Sequence, residues 1–181
     1  MSVIDRLADK YTEVVKLPWQ QGLSGPERTW MLVYPAKDER RLRAKLELFR
    51  IATRDAGHRW IEIDFTDEFE RWLAGQEYLE NYFEHPEDLA MLEELLGEHL
   101  AAVVEARTEN VTPDHVIALT GLGSLFGLYS VSKLIESASD HVPGRLLAFF
   151  PGERVRNNYR LLNAKDGWSY LAIPIDVLED H

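Results

Sequence analysis

Two six-residue runs, His115-Val-Ile-Ala-Leu-Thr120 and Arg145-Leu-Leu-Ala-Phe-Phe150, constrain the fold of this chain more than anything else in it. Neither alternates between apolar and polar residues, so a strand built from either has two faces that must leave water. A parallel sheet covered by helices on both sides meets that demand, and the two runs are expected at its centre. Between them stand Gly121-Leu-Gly-Ser-Leu-Phe-Gly127 and a helical segment, the kind of crossover that joins parallel strands.

Two further strands precede this pair. Thr29 to Tyr34 is apolar and closed by Pro35, whereas Arg59 to Phe65 alternates and so keeps one face more solvated. Between them Asp38 is a candidate cap for a helix running to about Asp55, with Leu42, Leu46 and Phe49 inward and Gly57 at its end. At the start of the chain Ser2 and Asp5 have capping-box spacing. Ile4, Leu7, Tyr11 and Val14 recur at helical period, predicting a helix over 2–16 that stops before Pro18. A loop anchored by Trp19 follows.

After Phe65 the pattern is helical: a short helix from Asp67 to Ala74, another piece from Gln76 to Phe83, and a long helix opened by Pro86 and ending at Arg107. Leu89, Leu92, Leu96, Leu100 and Val103 form the long helix's apolar stripe. The chain closes with strand-like runs at Tyr159 to Leu162 and Ser169 to Ile175, which Asp166-Gly167 suits to a hairpin. The expected architecture is a single α/β domain over 1–181. It has a mostly parallel central sheet with helices on both faces, Rossmann-like or P-loop-like without a Walker A loop, an acidic helical element at about 67–110 and a C-terminal hairpin.

Charge is unevenly placed. Residues 64–114 hold 15 Asp and Glu against Arg71 and Arg107, a balance of −13 within a chain whose net charge is −11, so the remainder carries +2. The plain reading is a solvated helical face; a basic protein partner is the functional one, and phosphate backbones are repelled there. The Arg and Lys residues of the 38–55 helix form a basic stripe, interrupted by Asp38, Glu39, Glu47 and Asp55, which can pair with them at helical spacing. With a sequence pI near 5.0, that stripe is a thin basis for DNA binding.

Zero cysteines exclude thiolate nucleophiles, disulfides and Cys-based metal sites. The six histidines, His58, His85, His99, His115, His141 and His181, lack the paired spacing of a zinc protease, and no metal or other cofactor is expected. No run reaches the roughly 18 apolar residues of a membrane span, and the first 16 residues read as a helix rather than a signal peptide, so a cytoplasmic location is expected.

The chemistry-bearing candidates are few. Gly121, Gly123 and Ser124 stand where a strand gives way to a helix, the place at which backbone N–H groups can hold an anion. A Walker A loop needs Lys and Ser or Thr after its last glycine, but Gly127 is followed by Leu128-Tyr129. The Gly-x-Gly-x-x-x-Gly spacing also departs from the dinucleotide fingerprint. Packing is the alternative role for these glycines, and Ser124 reads as a helix N-cap rather than a nucleophile.

A second group, Arg154, Arg156, Asn157, Asn158 and Arg160, follows the carboxyl end of a central strand and is a candidate phosphate or carboxylate site or a solvated loop. Asp64 and Asp67 lie at another strand end, where they can equally cap the next helix. Trp72, Tyr78, Tyr82 and Phe83 make a candidate aromatic surface for a protein partner within the acidic region. No catalytic constellation is found.

These residues also resemble the BrxB family of bacterial BREX (bacteriophage exclusion) defence systems. The resemblance rests on Leu17-Pro-Trp19, Val33-Tyr-Pro35 with Glu39-Arg-Arg-Leu-Arg43, the glycine stretch 121–127, and above all Phe149-Phe-Pro-Gly-Glu153, Asn158-Tyr-Arg-Leu-Leu162 and Asp166-Gly-Trp168 through Ile175. It implies a small cytoplasmic component of a phage-resistance system encoded beside a DNA methyltransferase, an AAA+ ATPase and an alkaline-phosphatase-like subunit of the PglZ type. It brings no catalytic motif and implies an adaptor whose partners are other BREX proteins, first among them the PglZ-type subunit. The alternatives are a nucleotide- or phosphate-binding enzyme or sensor using the 121–127 turn, and a DNA-binding accessory protein.

Overall fold

A computed structural model describes residues 1–77, 84–85 and 88–177. The strands are β1 (Thr29–Tyr34), β2 (Arg59–Asp64), β3 (His115–Thr120), β4 (Arg145–Val155), β5 (Asn158–Leu161), β6 (Trp168–Ser169) and β7 (Ile173–Ile175). The helices are α1 (Val3–Lys16), α2 (Glu39–Ala44), α3 (Leu46–Asp55), α4 (Glu68–Ala74), α5 (Asp88–Arg107) and α6 (Val131–His141). Five strands run parallel in the order β2-β3-β4-β1-β7, as an α/β chain with helices on both faces. The order is neither the 3-2-1-4-5-6 of dinucleotide-binding sheets nor the 2-1-3-4-5 of flavodoxin-like ones.

The central strands are buried along their whole length, and residue parity sorts their side chains into two cores. Trp30, Leu32 and Tyr34 of β1, Val116 and Ala118 of β3, and Leu147 and Phe149 of β4 meet α1, α2 and α3 on one face. Met31, Val33, Ile117, Leu119, Leu146, Ala148 and Phe150 meet α4, α5 and α6 on the other. Burying a Leu, Ile or Phe at these positions contributes about 1.5–3 kcal/mol each. β2 lies at one edge, which explains its alternation.

The α1 start follows its capping box: Ser2 Oγ accepts from the Asp5 N–H at 3.2 Å and the Asp5 carboxylate accepts from the Ser2 N–H at 2.9 Å. The single helix expected from Asp38 is instead two. Ala36–Asp38 forms a 3₁₀ turn, so Asp38 lacks the extended backbone of a cap and its carboxylate takes Arg41 at 3.2 Å. The helix then breaks at Lys45 (φ −116°, ψ 9°), whose ammonium reaches Asp5 on α1. In α5 the buried stripe runs through Leu96, Leu100 and Val104, with Val103 half-buried beside it.

The C-terminal hairpin forms but is shorter than expected. β5 pairs antiparallel with the outer half of β4, and β6 adds only two residues to it. Ile173–Ile175 leaves that ribbon and joins β1 as a parallel edge strand. Pro174, which has no N–H to give a ladder, is tolerated there because the strand is an edge. β4 likewise runs beyond Phe150 through Pro151 and Gly152; a Cβ on Gly152 would stand 2.1 Å from the Arg160 carbonyl oxygen, so only glycine lets β5 approach.

Candidate functional site

The chain leaves β1 toward α2 on one face of the sheet, while the ribbon that follows β4 packs Tyr159, Trp168 and Tyr170 into the core of the other. Because β1 and β4 are neighbours, their carboxyl ends part, and a crevice opens where open α/β sheets place their ligands. Its volume is about 740 Å³, within the range of small-molecule sites. Residues 33–37 form one wall, 152–155 the other, and Leu162, Asn163, Asp176 and Val177 close the sides. The walls are apolar except for Lys37, Glu153, Arg154, Asn163 and Asp176.

Arg154 and Asp176 form the charged floor. Both side chains are buried, Arg154 Nε donates to Asp176 Oδ2 at 2.5 Å, and Arg154 Nη1 donates to the Arg156 carbonyl at 2.9 Å. Lys10 Nζ reaches the Asp176 main-chain oxygen at 2.5 Å. The arginines therefore do not converge on one ligand. Arg154 lies opposite Tyr159 in the ladder, whereas Arg160 lies opposite Glu153, with which it pairs at the surface. Strand alternation sends these neighbours to opposite faces.

Arg156 holds φ 54° at the first position of the β4–β5 turn. Asn157 sits exposed beside it and gives its carbonyl to the Tyr170 N–H at 2.9 Å. Asn158 packs its amide against Gly167, where a Cβ would overlap it. The expected loop is thus a hairpin whose polar residues build the ribbon.

The glycine turn is occupied by the protein itself. Gly121 adopts φ 71°, and a Cβ there would lie 2.6 Å from Asp64 Oδ1 and from the amide and hydroxyl of Thr66. A carboxylate against the turn opposes an anion in the same place. Gly123 backs onto Pro151, and Leu122 and Leu125 are core residues. Ser124 is exposed within a 3₁₀ turn, Leu122–Leu125, and is not an N-cap; Ser130 caps α6, accepting from the Lys133 N–H at 3.4 Å. The helix begins six residues beyond Leu125, so its dipole does not bear on Gly121.

Asp64 belongs to a network at the carboxyl ends of β1 and β2. Thr66 donates its amide to Asp64 at 3.0 Å and its hydroxyl at 2.5 Å, Arg43 Nη1 adds a contact of 3.4 Å, and Arg43 Nε meets Glu39 at 3.1 Å. Tyr34 Oη donates to Glu39, and Arg43 Nη2 to Thr66 Oγ1. Burial pushes the Asp64 carboxyl up, but the Thr66 donors and Arg43 outweigh it and hold it below its ordinary value. Burial, reinforced by Glu39, holds the Tyr34 phenol far above the usual range. Burial also raises Glu62, with the charge of Asp64 adding to it. The network keeps Asp64 ionised and Tyr34 neutral.

Trp72 does not offer a partner surface: it is 8% exposed and packs with Phe69 and His99 in the core beneath α5. Tyr78, Tyr82 and Phe83 lie outside the described residues. Asp67 forms no side-chain cap on α4. His99 meets Glu68 at 2.8 Å, His58 stacks on Trp19 and meets Asp114 at 2.7 Å, and His115 accepts from the Thr112 N–H at 3.0 Å. Among the described residues no three His, Asp or Glu side chains could share a metal ion, and no helix is long and apolar enough to cross a membrane.

Lys37, Thr66 and Asp176 carry no sequence motif. Their one signal is position, at strand ends, and it becomes informative only with the strand order. Comparison of the chain with protein-family models, curated proteins and solved structures finds no match.

Proposed function

We propose that the chain is a non-enzymatic adaptor of a BREX phage-defence system, acting in the cytoplasm and docking on the alkaline-phosphatase-like subunit of the PglZ type. The sequence resemblance supplies the system and the partner. One structural observation supports the non-enzymatic part: the switch-point crevice is apolar, and its buried charges are already paired as Arg154 and Asp176. A phosphate enzyme needs several convergent donors on the group being transferred, and apart from Lys37 the cations of this crevice are already paired. The Gly121 turn, backed by the Asp64 carboxylate, supports the same reading.

Co-expression with the phosphatase-like subunit, the AAA+ ATPase and the methyltransferase in turn, followed by size-exclusion chromatography, tests the proposal. Co-elution with the phosphatase-like subunit is expected. Migration as a lone species in every pairing overturns it.

A further inference from the structure

The crevice between β1 and β4 combines an apolar wall with one unpaired cation, on a chain whose net charge is −11. Its lining holds Lys37 and Arg154 against Glu153 and Asp176; Arg154 is paired with Asp176 and Glu153 with Arg160, which leaves Lys37. Lys37 makes no ion pair or hydrogen bond among the described residues, so its ammonium is available at the mouth. Val155, on the facing wall, leaves 72% of its surface in water. An apolar side chain so exposed beside an open cavity gains by being covered.

The ladder position opposite Arg154 carries a second anomaly, outside the crevice lining. Tyr159 faces Arg154 across the ladder and is 1% exposed, yet its hydroxyl has no hydrogen-bond partner. Burial pushes that phenol up to about 12.

We infer that the crevice binds a small ligand with an apolar body and a single carboxylate, the body lying against Pro35, Val155 and Leu162 and the carboxylate drawn to the Lys37 side. Burying an apolar ligand chain there removes its surface from water, and the unpaired Lys37 ammonium selects a negative head over a positive one. The inference does not depend on the adaptor reading, since the site is complete within this chain.

Isothermal titration of the purified full chain with decanoate, 1-decanol and decylammonium tests it. Decanoate is expected to bind saturably at one site, about tenfold or more tighter than decylammonium. Lys37→Glu should weaken decanoate by about tenfold with 1-decanol unchanged, and Val155→Asp should weaken both. Both substitutions are at exposed positions, so the fold survives them. No saturable binding of decanoate at about millimolar concentration, equal affinity for decanoate and decylammonium, or indifference to both substitutions would each overturn the site.

Discussion

The Arg154 guanidinium and the Asp176 carboxylate meet at 2.5 Å with both side chains buried, tying the outer half of β4 to the residue that follows β7. Removing either partner alone leaves a charge stranded away from water. Arg154→Met or Asp176→Ala should each cost about 3–5 kcal/mol, and the double substitution less than the sum of the two. Urea denaturation of the three variants checks this. Additive losses would mean that the pair is not coupled.

Gly121 and Gly127 both hold positive φ, but only Gly121 has protein against the place of its missing side chain. Gly127→Ala should cost about 1–2 kcal/mol, the strain of a left-handed L-residue. Gly121→Ala should cost more, because the new methyl meets Asp64 and Thr66 as well. In a chain of this size each kcal/mol lowers the melting temperature by about 2–4 °C, so thermal melts rank the two. Equal shifts would argue against the turn as a packed contact.

Acid should destabilise the protein through Asp64, and through Asp5, which Lys45 chiefly holds below its ordinary value with Ser2 assisting. A carboxylate depressed in the folded state contributes stability above its unfolded value, about 3.9, and loses it as pH falls through the folded one. Glu62, raised by burial, acts in the opposite sense: its contribution is present at low pH and fades as pH rises through its folded value. The urea midpoint should therefore fall between pH 5 and pH 2, by roughly those limits. Asp64→Asn should shrink that fall. A variant with the parent's full acid loss would separate Asp64 from it.

Trp72 sits in the core under α5, so Trp72→Ala should cost about 3–5 kcal/mol by opening a cavity, with any loss of partner binding following from unfolding. Chemical denaturation decides. Unchanged stability with selective loss of a partner would place the indole at an interface after all.

Strand parity and apolar period made the sheet legible from residues alone. β1, β3 and the first half of β4 are buried on both faces because their side chains allow nothing else, and the capping box of Ser2 and Asp5 is a local interaction that needs no tertiary partner. Local pattern also named Asp64 as an acid at a strand end and the Gly121 turn as a close approach. It misjudged what required distant chain segments: Asp38 as a cap, Ser124 as a cap, three arginines as one site, and Ile173–Ile175 as half of a hairpin.

Those outcomes were decided by which strand lies beside which. Once β1 is inserted between β4 and β7, residues 33–37, 152–155 and 176–177 converge on one crevice, although more than a hundred positions separate the first from the others. Apolar periodicity determines that a side chain must be buried, since water imposes that cost residue by residue. Only the packed sheet determines against what, because a partner such as Asp176 for Arg154 is set by strand order and register, which no local spacing encodes.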